Sequence, residues 1–216
     1  MSSCCRAEAC EEVFDAKAAR SDMEGFLRKG LDGLERRMLA ALPGASTGAG
    51  SRVLEIGGGV GALQATLLKE GAGSGEVVEL LSVYETYANQ LAEQLGVAGR
   101  SRFRVHDLLD DPEAIEPADV VLLNRVVCCS ADGLELTAAA AKLTHGALAL
   151  LFPRANVVTR FLAACERFMA RLFGRKYRIY VWTPAQLTAA AATAGLVPVA
   201  NGGSFVWRYL VFVHQT

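Results

Sequence analysis

The sequence predicts an α/β fold: a doubly wound, mostly parallel sheet with an antiparallel edge and an N-terminal helical lid. Short apolar runs alternate with segments whose apolar residues recur at three- and four-residue spacing, which is the pattern of successive strand–helix units. The run "ADVVLLN" (118–124) is apolar enough for a strand buried on both faces. Two closing apolar runs, 196–200 and 205–213, are joined by "NGGS", which predicts an antiparallel pair.

Composition indicates a folded chain with one sizeable core. The 216 residues are 52% hydrophobic and 21% charged, with a net charge of −1. A disordered chain is therefore excluded, and no basic field favours nucleic acid as a partner. No apolar run reaches the roughly 18 residues that a membrane span needs, and the polar start "MSSCCRAEACEEVFD" does not resemble a signal peptide. We expect a cytoplasmic protein, and a homodimer stays open.

The predicted elements follow in order along the chain. Leucine and methionine spacing predicts helix across 8–42, and a stretch rich in Pro, Gly and Ser (43–51) predicts a linker. We therefore divide the chain into a helical lid with its linker (1–50) and a ligand-binding domain (51–216). Strands are expected at 52–56, 76–81, 102–105, 118–124 and 147–152, and helices at 61–71, 84–95, 133–144, 155–173 and from Thr183 onward.

The stretch "RVLEIGGGVGALQATLL" (52–68) places a glycine-rich turn between a strand and a helix. Gly57, Gly59 and Gly61 can adopt positive φ, and together with Gly58 they let a ligand approach the backbone. In an open parallel sheet, this turn lies at the edge where ligands bind. The turn also fits the dinucleotide fingerprint G-x-G-x-x-G/A, so NAD or FAD stays an alternative.

Polar residues stand at or near the ends of the first four predicted strands: Glu55, Glu79, Asp107 and Asn124. Because the carboxyl ends of parallel strands meet at one edge of a sheet, these side chains are expected to face one ligand. A carboxylate at Glu55 would repel a pyrophosphate and attract a cationic ligand that carries an amino acid. Glu79 is placed to hold ribose hydroxyls, and Asp107 an adenine amino group. The pattern favours S-adenosylmethionine, with S-adenosylhomocysteine as product, over a dinucleotide.

The segment "VLEIGGGVG" resembles the first motif, (D/E)-x-G-x-G-x-G, of class I S-adenosylmethionine-dependent methyltransferases, and "VHDLLDD" and "ADVVLLN" are similar to the later motifs in their order. The segments "FDAKAARSDMEGFLRKGLDGLERRML", "GGGVGALQ", "LNRVVCC" and "FPR" resemble bacterial proteins related to magnesium-protoporphyrin O-methyltransferase. The resemblance implies that Glu55 and the glycines line the methionine and ribose part of the cofactor, Glu79 the ribose hydroxyls and Asp107 the adenine edge. The predicted cofactor-binding residues are Glu55, Gly57, Gly58, Gly59, Gly61, Glu79, Leu80, Asp107, Leu108 and Asn124.

The methyl acceptor is predicted to be a small molecule, with an oxygen centre favoured. The predicted substrate-side residues are Phe26, Arg28, Lys29, Cys128, Cys129 and Arg154. The first three lie on the helical lid, the cysteines follow the fourth strand, and the last arginine follows the fifth strand, where it can pair with an anionic substrate. Because methyl transfer from a sulfonium depends on positioning more than on proton transfer, the catalytic residues stay unassigned.

Three alternatives stay open. Thiolates of Cys128 and Cys129, joined by Cys4, Cys5 or Cys10, would bind a soft metalloid, and the acceptor would then be a thiol or that metalloid. No Cys-x-x-Cys spacing supports zinc, and no resident metal is expected. An oxidoreductase dependent on NAD or FAD would use the same glycines, and a catalytically silent, methyltransferase-like binding protein would keep the same fold.

Overall fold

Seven strands form one sheet in the computed structural model, which describes residues 3–215 without the side chains of residues 3–6 and 45. In chain order the strands are β1 (Arg52–Ile56), β2 (Ser74–Glu79), β3 (Ser101–Val105), β4 (Ala118–Asn124), β5 (Thr144–Pro153), β6 (Leu196–Gly203) and β7 (Trp207–His214). They lie side by side in the order β3-β2-β1-β4-β5-β7-β6. The first five pair in parallel, and β7 is antiparallel to both β5 and β6. The predicted fold class is confirmed.

Helices cover both faces of this sheet. Within residues 3–215 the α-helices are α1 (Ser3–Glu11), α2 (Ala16–Lys29), α3 (Gly33–Ala40), α4 (Ala62–Lys69), α5 (Glu85–Gln94), α6 (Gly133–Lys142), α7 (Val157–Leu172) and α8 (Pro184–Ala192). The predicted start of α8 is confirmed, since the Thr183 hydroxyl accepts a hydrogen bond from the Gln186 N–H at 3.2 Å. None of these helices has the length and apolar character needed to cross a membrane.

The single helix predicted over 8–42 is wrong, because two N-caps interrupt it. The Asp15 carboxylate caps α2 by accepting from the Ala18 N–H at 2.8 Å, and the Asp32 carboxylate caps α3 by accepting from the Glu35 N–H at 2.8 Å. Glu35 returns the bond, since its Oε2 accepts from the Asp32 N–H at 2.8 Å and completes a capping box. Gly30, at φ 67°, ends α2 before this second cap. The leucine spacing crosses the break, and periodicity alone therefore missed it.

Several strand boundaries also differ from the prediction, among them the start of β5, which lies at Thr144 where 147 was expected. β2 begins two residues earlier than expected and ends at Glu79, so that Leu80 and Leu81 follow the strand. β6 extends through Gly203, because Asn201 and the two glycines of "NGGS" pair with β7. The connecting turn is therefore 204–206.

The sheet separates two apolar layers. On one face, Leu54 of β1 and Phe152 of β5 pack with residues of α6 and α8. On the other face, Met38 of α3 packs in one cluster with Val53 of β1 and Leu63 of α4. The connections after β1 lead to β2 and β3 on one side, and the connections after β4 lead to β5 on the other. This switch point between β1 and β4 is the edge at which ligands bind in such sheets.

Candidate functional site

A cavity of about 540 Å³ lies at the carboxyl ends of β1, β2 and β4, at the switch point of the sheet. The cavity is lined by nine of the ten residues predicted to bind the cofactor: Glu55, Gly57, Gly58, Gly59, Glu79, Leu80, Asp107, Leu108 and Asn124. Gly61 does not line it. Gly61 begins α4 at φ 72°, and a Cβ there would lie 2.6 Å from Val77 Cγ2, so this glycine serves close packing of the helix on β2.

The glycine turn packs closely against side chains of neighbouring segments. Gly57 and Gly59 have φ of 61° and 55°, in the left-handed region that favours glycine. A Cβ on Gly57 would lie 2.2 Å from Val126 Cγ2, and one on Gly59 would lie 3.1 Å from the Tyr84 ring. The turn therefore requires glycine mainly because a side chain at these positions would collide with other residues of the chain.

Glu55 is buried beneath this turn, with 1% of its surface exposed. Its Oε2 accepts from the backbone N–H of Gln64 in the first turn of α4, at 2.8 Å. The N-terminus of this helix is the place where a dinucleotide pyrophosphate would bind. Because a carboxyl group of the chain already occupies it, the geometry disfavours a dinucleotide. The pKa of Glu55 is raised from 4.5 to about 8, chiefly by burial and in smaller part by the neighbouring charges of Glu35 and Glu79.

The raised pKa of Glu55 predicts that stability falls as pH rises. A carboxyl group whose pKa is higher in the folded chain than in the unfolded chain stabilises fully below its unfolded pKa, and this contribution is lost as pH rises through the folded pKa. The window is therefore pH 4.5 to about 8. Urea unfolding of Glu55→Gln should give a free energy of unfolding that varies less across this window than that of the wild-type protein. The exposed Glu70→Gln serves as control, and an unchanged pH dependence in Glu55→Gln would show that Glu55 is ionised throughout.

Glu79 joins the end of β2 to the glycine turn. Its Oε2 accepts from the Gly59 N–H at 2.9 Å, and its Oε1 accepts from the N–H groups of Leu80 at 2.7 Å and Leu81 at 3.3 Å. Burial raises the pKa of this carboxyl group, against the effect of the three backbone donors. A carboxylate has about four acceptor positions, so Glu79 can still accept from a ligand hydroxyl while it holds the turn.

Asn124 carries an acceptor that has no donor. Its Nδ2 donates to Glu35 Oε1 at 2.9 Å, which fixes the orientation of the amide. Its Oδ1 is buried and has no hydrogen-bond partner among the residues that the structure describes. Asn124 lines the cavity, although this oxygen itself has almost no accessible surface in the structure.

Glu35 and Arg125 belong to the site, although the sequence did not single them out. Arg125 follows β4 with φ 60°, a left-handed backbone that is uncommon outside glycine and clusters at functional sites. Its guanidinium forms an ion pair with Asp32, lies 3.5 Å from Glu35 Oε1 and stacks 5.0 Å from the Trp207 ring centroid. These contacts fix the start of α3 to the end of β4. The capping-box pattern Asp32-x-x-Glu35 was the available signal for Glu35.

Only two of the six predicted substrate-side residues line the cavity, Phe26 and Cys129. Arg28 and Lys29 are exposed on α2 and do not line it. Arg154 is also exposed, and its Nη1 contacts the Ser204 carbonyl oxygen at 3.4 Å, away from the cavity. The remaining residue of the six is Cys128, which is buried behind the cavity wall.

Thiols form part of the cavity wall. The Cys129 sulfur lies 3.9 Å from the Cys128 sulfur and accepts a hydrogen bond from the Tyr177 hydroxyl at 3.1 Å, and the interactions with these two groups lower the pKa of Cys129. Cys10 also lines the cavity, and burial raises its pKa to about 12. The side chains of Cys4 and Cys5 lie outside the described part of the chain. Within that part, no three His, Cys, Asp or Glu side chains come together as ligands for a metal ion.

The N-terminal helices α1 and α2 line one side of the cavity. Glu12, just after α1, accepts from the backbone N–H groups of Lys176 at 2.9 Å and Tyr177 at 3.1 Å, and these bonds lower the pKa of Glu12. On α2, Asp22 accepts from the Tyr84 hydroxyl at 3.2 Å. Both helices are therefore tied to segments that line the opposite walls.

Solved structures that resemble this fold are methyltransferases or their complexes. An O-methyltransferase family protein from Burkholderia thailandensis matches with a TM-score of 0.70 and 20% identity over 94% of this chain, which spans 61% of that protein's chain. The magnesium protoporphyrin IX methyltransferase ChlM from Synechocystis PCC 6803, solved with bound S-adenosylhomocysteine, matches with a TM-score of 0.63 and 17% identity over 93% of this chain and 83% of its own.

A third structure is the complex of the Haloferax volcanii Trm112 methyltransferase activator with a methyltransferase. One of its chains matches with a TM-score of 0.73 and 17% identity, over 95% of this chain and 97% of its own. No family model and no curated protein matches the sequence. At these identities the comparisons show the fold, which is that of class I S-adenosylmethionine-dependent methyltransferases, as the sequence predicted.

Proposed function

We propose that this protein transfers a methyl group from S-adenosylmethionine to a small-molecule acceptor, with an oxygen centre as the favoured acceptor atom. The observation that carries the proposal is the cavity at the switch point of the sheet, which is lined by nine of the ten residues predicted to bind the cofactor. Three buried carboxyl groups also line the cavity, those of Glu35, Glu55 and Glu79. A ligand with an ammonium group and ribose hydroxyls supplies donors and positive charge to such a site, whereas a dinucleotide pyrophosphate brings negative charge.

The residues of the cavity suit the parts of this cofactor. Glu79 would accept from the ribose hydroxyls, Asp107 and Leu108 would bound the adenine, and Asn124 would accept from the methionine ammonium. When bound, the cofactor supplies a methyl group on a sulfonium, which leaves as a neutral thioether. The chain itself would then bind and orient the cofactor and the acceptor and exclude water. These effects can provide most of the lowering of the activation barrier for methyl transfer.

The acceptor would bind against the N-terminal wall. Phe14 and Phe26 line this side of the cavity, together with Cys10, Cys129 and Tyr180. This lining is largely apolar, so it suits a small apolar acceptor that displaces water from the methyl group. The name of the Burkholderia protein, an O-methyltransferase, supports oxygen as the atom that is methylated.

The segment 1–50 would act as a lid on the domain 51–216. The Glu12 contacts with Lys176 and Tyr177 and the contact of Tyr84 with Asp22 hold α1 and α2 over the cavity. Ligand exchange requires these bonds to open. The lid therefore completes the acceptor site and excludes water from it.

Calorimetric titration with S-adenosylhomocysteine and, separately, NADH tests the cofactor. We expect micromolar binding of the former and no heat with the latter. Asn124→Leu should weaken S-adenosylhomocysteine binding at least tenfold, because a hydrogen bond to a charged group contributes about 1.5–3 kcal/mol. The exposed Asn89→Leu on α5 is the matched control and should bind like the wild-type protein. Binding of NADH alone would replace the proposal with the oxidoreductase alternative.

The acceptor is tested with S-adenosylmethionine labelled in its methyl group and a panel of phenols, carboxylic acids, thiols and arsenite. Label in an ether or ester product supports oxygen as the acceptor atom. Label on a thiol or on arsenite would favour the cysteine-bound alternative. Cofactor binding without any labelled product, together with a stable protein complex, would identify a catalytically silent binding protein.

A further inference from the structure

Helix α7 has its large apolar residues on the face that is exposed to solvent, and only small residues on the face that packs on the domain. Its buried residues are small: Thr159, Ala163 and Ala170. The exposed apolar residues recur at three- and four-residue spacing and continue one residue past the helix: Val157, Val158, Phe161, Leu162, Phe168, Met169, Leu172 and Phe173. Cys165 is exposed on the same stripe. An amphipathic helix normally turns its large residues inward, so this stripe faces a partner outside the domain.

The turn between β6 and β7 extends this apolar surface. Phe205 and Val206 are exposed at 64% and 41%. The turn is fixed beside the start of α7, because the Asn156 Nδ2 donates to the Phe205 carbonyl oxygen at 2.8 Å and the Arg154 N–H donates to the Val206 carbonyl oxygen at 2.7 Å. We call α7 and the turn 204–206 the outer apolar surface.

Positive charge accompanies the outer apolar surface. The helix contains three arginines, Arg160, Arg167 and Arg171, and one acid, Glu166. The acid is engaged locally, since its Oε2 accepts from the Ile179 N–H at 3.2 Å. Charge complementarity therefore points to an anionic partner.

We propose that the outer apolar surface binds an anionic lipid bilayer, with α7 lying in the plane of the interface. Side chains as exposed as Val157, at 84%, project from the surface and do not form a groove, and a fluid lipid interface accommodates such a ridge. Apolar side chains then enter the acyl boundary while arginines meet anionic headgroups. A second copy of this chain would bring two arginine-rich helices together. Sixteen residues span roughly 24 Å, which suits a helix lying in the interface.

Binding in this manner would bring the cavity close to the bilayer. The chain leaves α7 at Leu172, and Lys176, Arg178 and Tyr180 of the following segment line the cavity. An amphiphilic acceptor held in the bilayer would then reach the cavity without crossing water. The lipid-binding proposal is independent of the proposed function, because vesicle binding needs neither cofactor nor acceptor.

Co-sedimentation with vesicles tests the proposal, using phosphatidylcholine with about 30% phosphatidylglycerol against phosphatidylcholine alone, at roughly 0.1 M salt. We expect binding to the anionic vesicles and little to the neutral ones. The double variant Phe161→Ser/Phe168→Ser should bind at least about tenfold more weakly. Arg160→Gln/Arg171→Gln should bind about 30-fold more weakly, since each arginine near an anionic surface contributes about a fivefold factor.

The matched control is Val13→Ser/Val105→Ser, which removes two exposed valines outside the outer apolar surface and should bind like the wild-type protein. Thermal unfolding checks that every variant is folded. If the double phenylalanine variant is not folded, the double arginine variant still tests the proposal. No sedimentation with anionic vesicles at millimolar lipid would overturn the proposal. A wild-type dimer that the phenylalanine variant converts to monomer, without vesicle binding, would assign the surface to a second copy. A protein captured through the same residues, again without vesicle binding, would also overturn it.

Discussion

Glu79→Ala is expected to abolish S-adenosylhomocysteine binding at concentrations that saturate the wild-type protein. The substitution removes the proposed ribose acceptor, and it also leaves the N–H groups of Gly59, Leu80 and Leu81 without their partner. Each buried donor left unpaired costs about 1–3 kcal/mol, so the glycine turn should lose its fixed position as well. Calorimetry measures the affinity, and urea unfolding should show a lower free energy of unfolding.

The matched control is Glu76→Ala, on the same strand and also buried. Glu76 pairs with Arg52 at 2.5 Å and with Arg104 at 2.7 Å, and it does not line the cavity. Its replacement should destabilise the protein and leave the affinity of the folded fraction near that of the wild-type protein. An affinity near that of the wild-type protein in both variants would remove Glu79 from the cofactor site. Equal losses in both variants would show that stability alone controls binding.

Gly59→Val is expected to abolish cofactor binding. The substitution disturbs the packing of the turn on the rest of the chain as much as it blocks the ligand. A Cβ at Gly59 would already lie 3.1 Å from Tyr84, and the branched side chain brings further atoms against the same ring. The left-handed backbone at φ 55° adds about 1–2 kcal/mol for any residue with a Cβ. Displacement of Tyr84 would also break its bond to Asp22 on α2. Calorimetry with S-adenosylhomocysteine should show no binding.

Gly96→Val separates backbone strain from this packing effect. Gly96 has φ 70°, and a Cβ there meets nothing within 4 Å. The two variants share the left-handed cost, so we expect Gly96→Val to be destabilised by about 1–2 kcal/mol and to bind the cofactor normally. If Gly59→Val behaves like Gly96→Val, the turn tolerates the side chain and the proposed placement of the cofactor is wrong.

The sequence predicted those parts of the structure that local patterns determine. The apolar run 118–124 became the buried strand β4, and Thr183 capped α8 as expected. The mostly parallel sheet and its antiparallel edge follow from the alternation of strands and helices and from the short connection before β7. The break at Asp32 was missed because an apolar period continued across it, although the capping box was readable in the sequence.

The parts of the site that were missed depend on contacts between distant segments. Arg125 pairs with Asp32, 93 positions away, and Asn124 meets Glu35 across 89 positions. Both residues lie at the end of β4, and the sequence around them does not indicate such partners. Arg28 and Lys29 show the converse: their position beside Phe26 suggested a role in the site, and the helix turns them toward solvent. Residue type near a motif predicts a site less well than the face on which a side chain emerges.

The bonds between Glu12 and the backbone of Lys176 and Tyr177 join the N-terminal helices to the segment that follows α7. The sheet does not connect these two parts of the chain. The segment they hold continues directly from α7, so any displacement of α7 is transmitted to α1 across the mouth of the cavity. If α1 and α2 act as the proposed lid, the dissociation rate of a bound ligand would depend on how often these bonds break, and occupancy of the outer apolar surface would be one of the variables that set it. Closure of the cavity would then depend on the surroundings of α7 as well as on the chain.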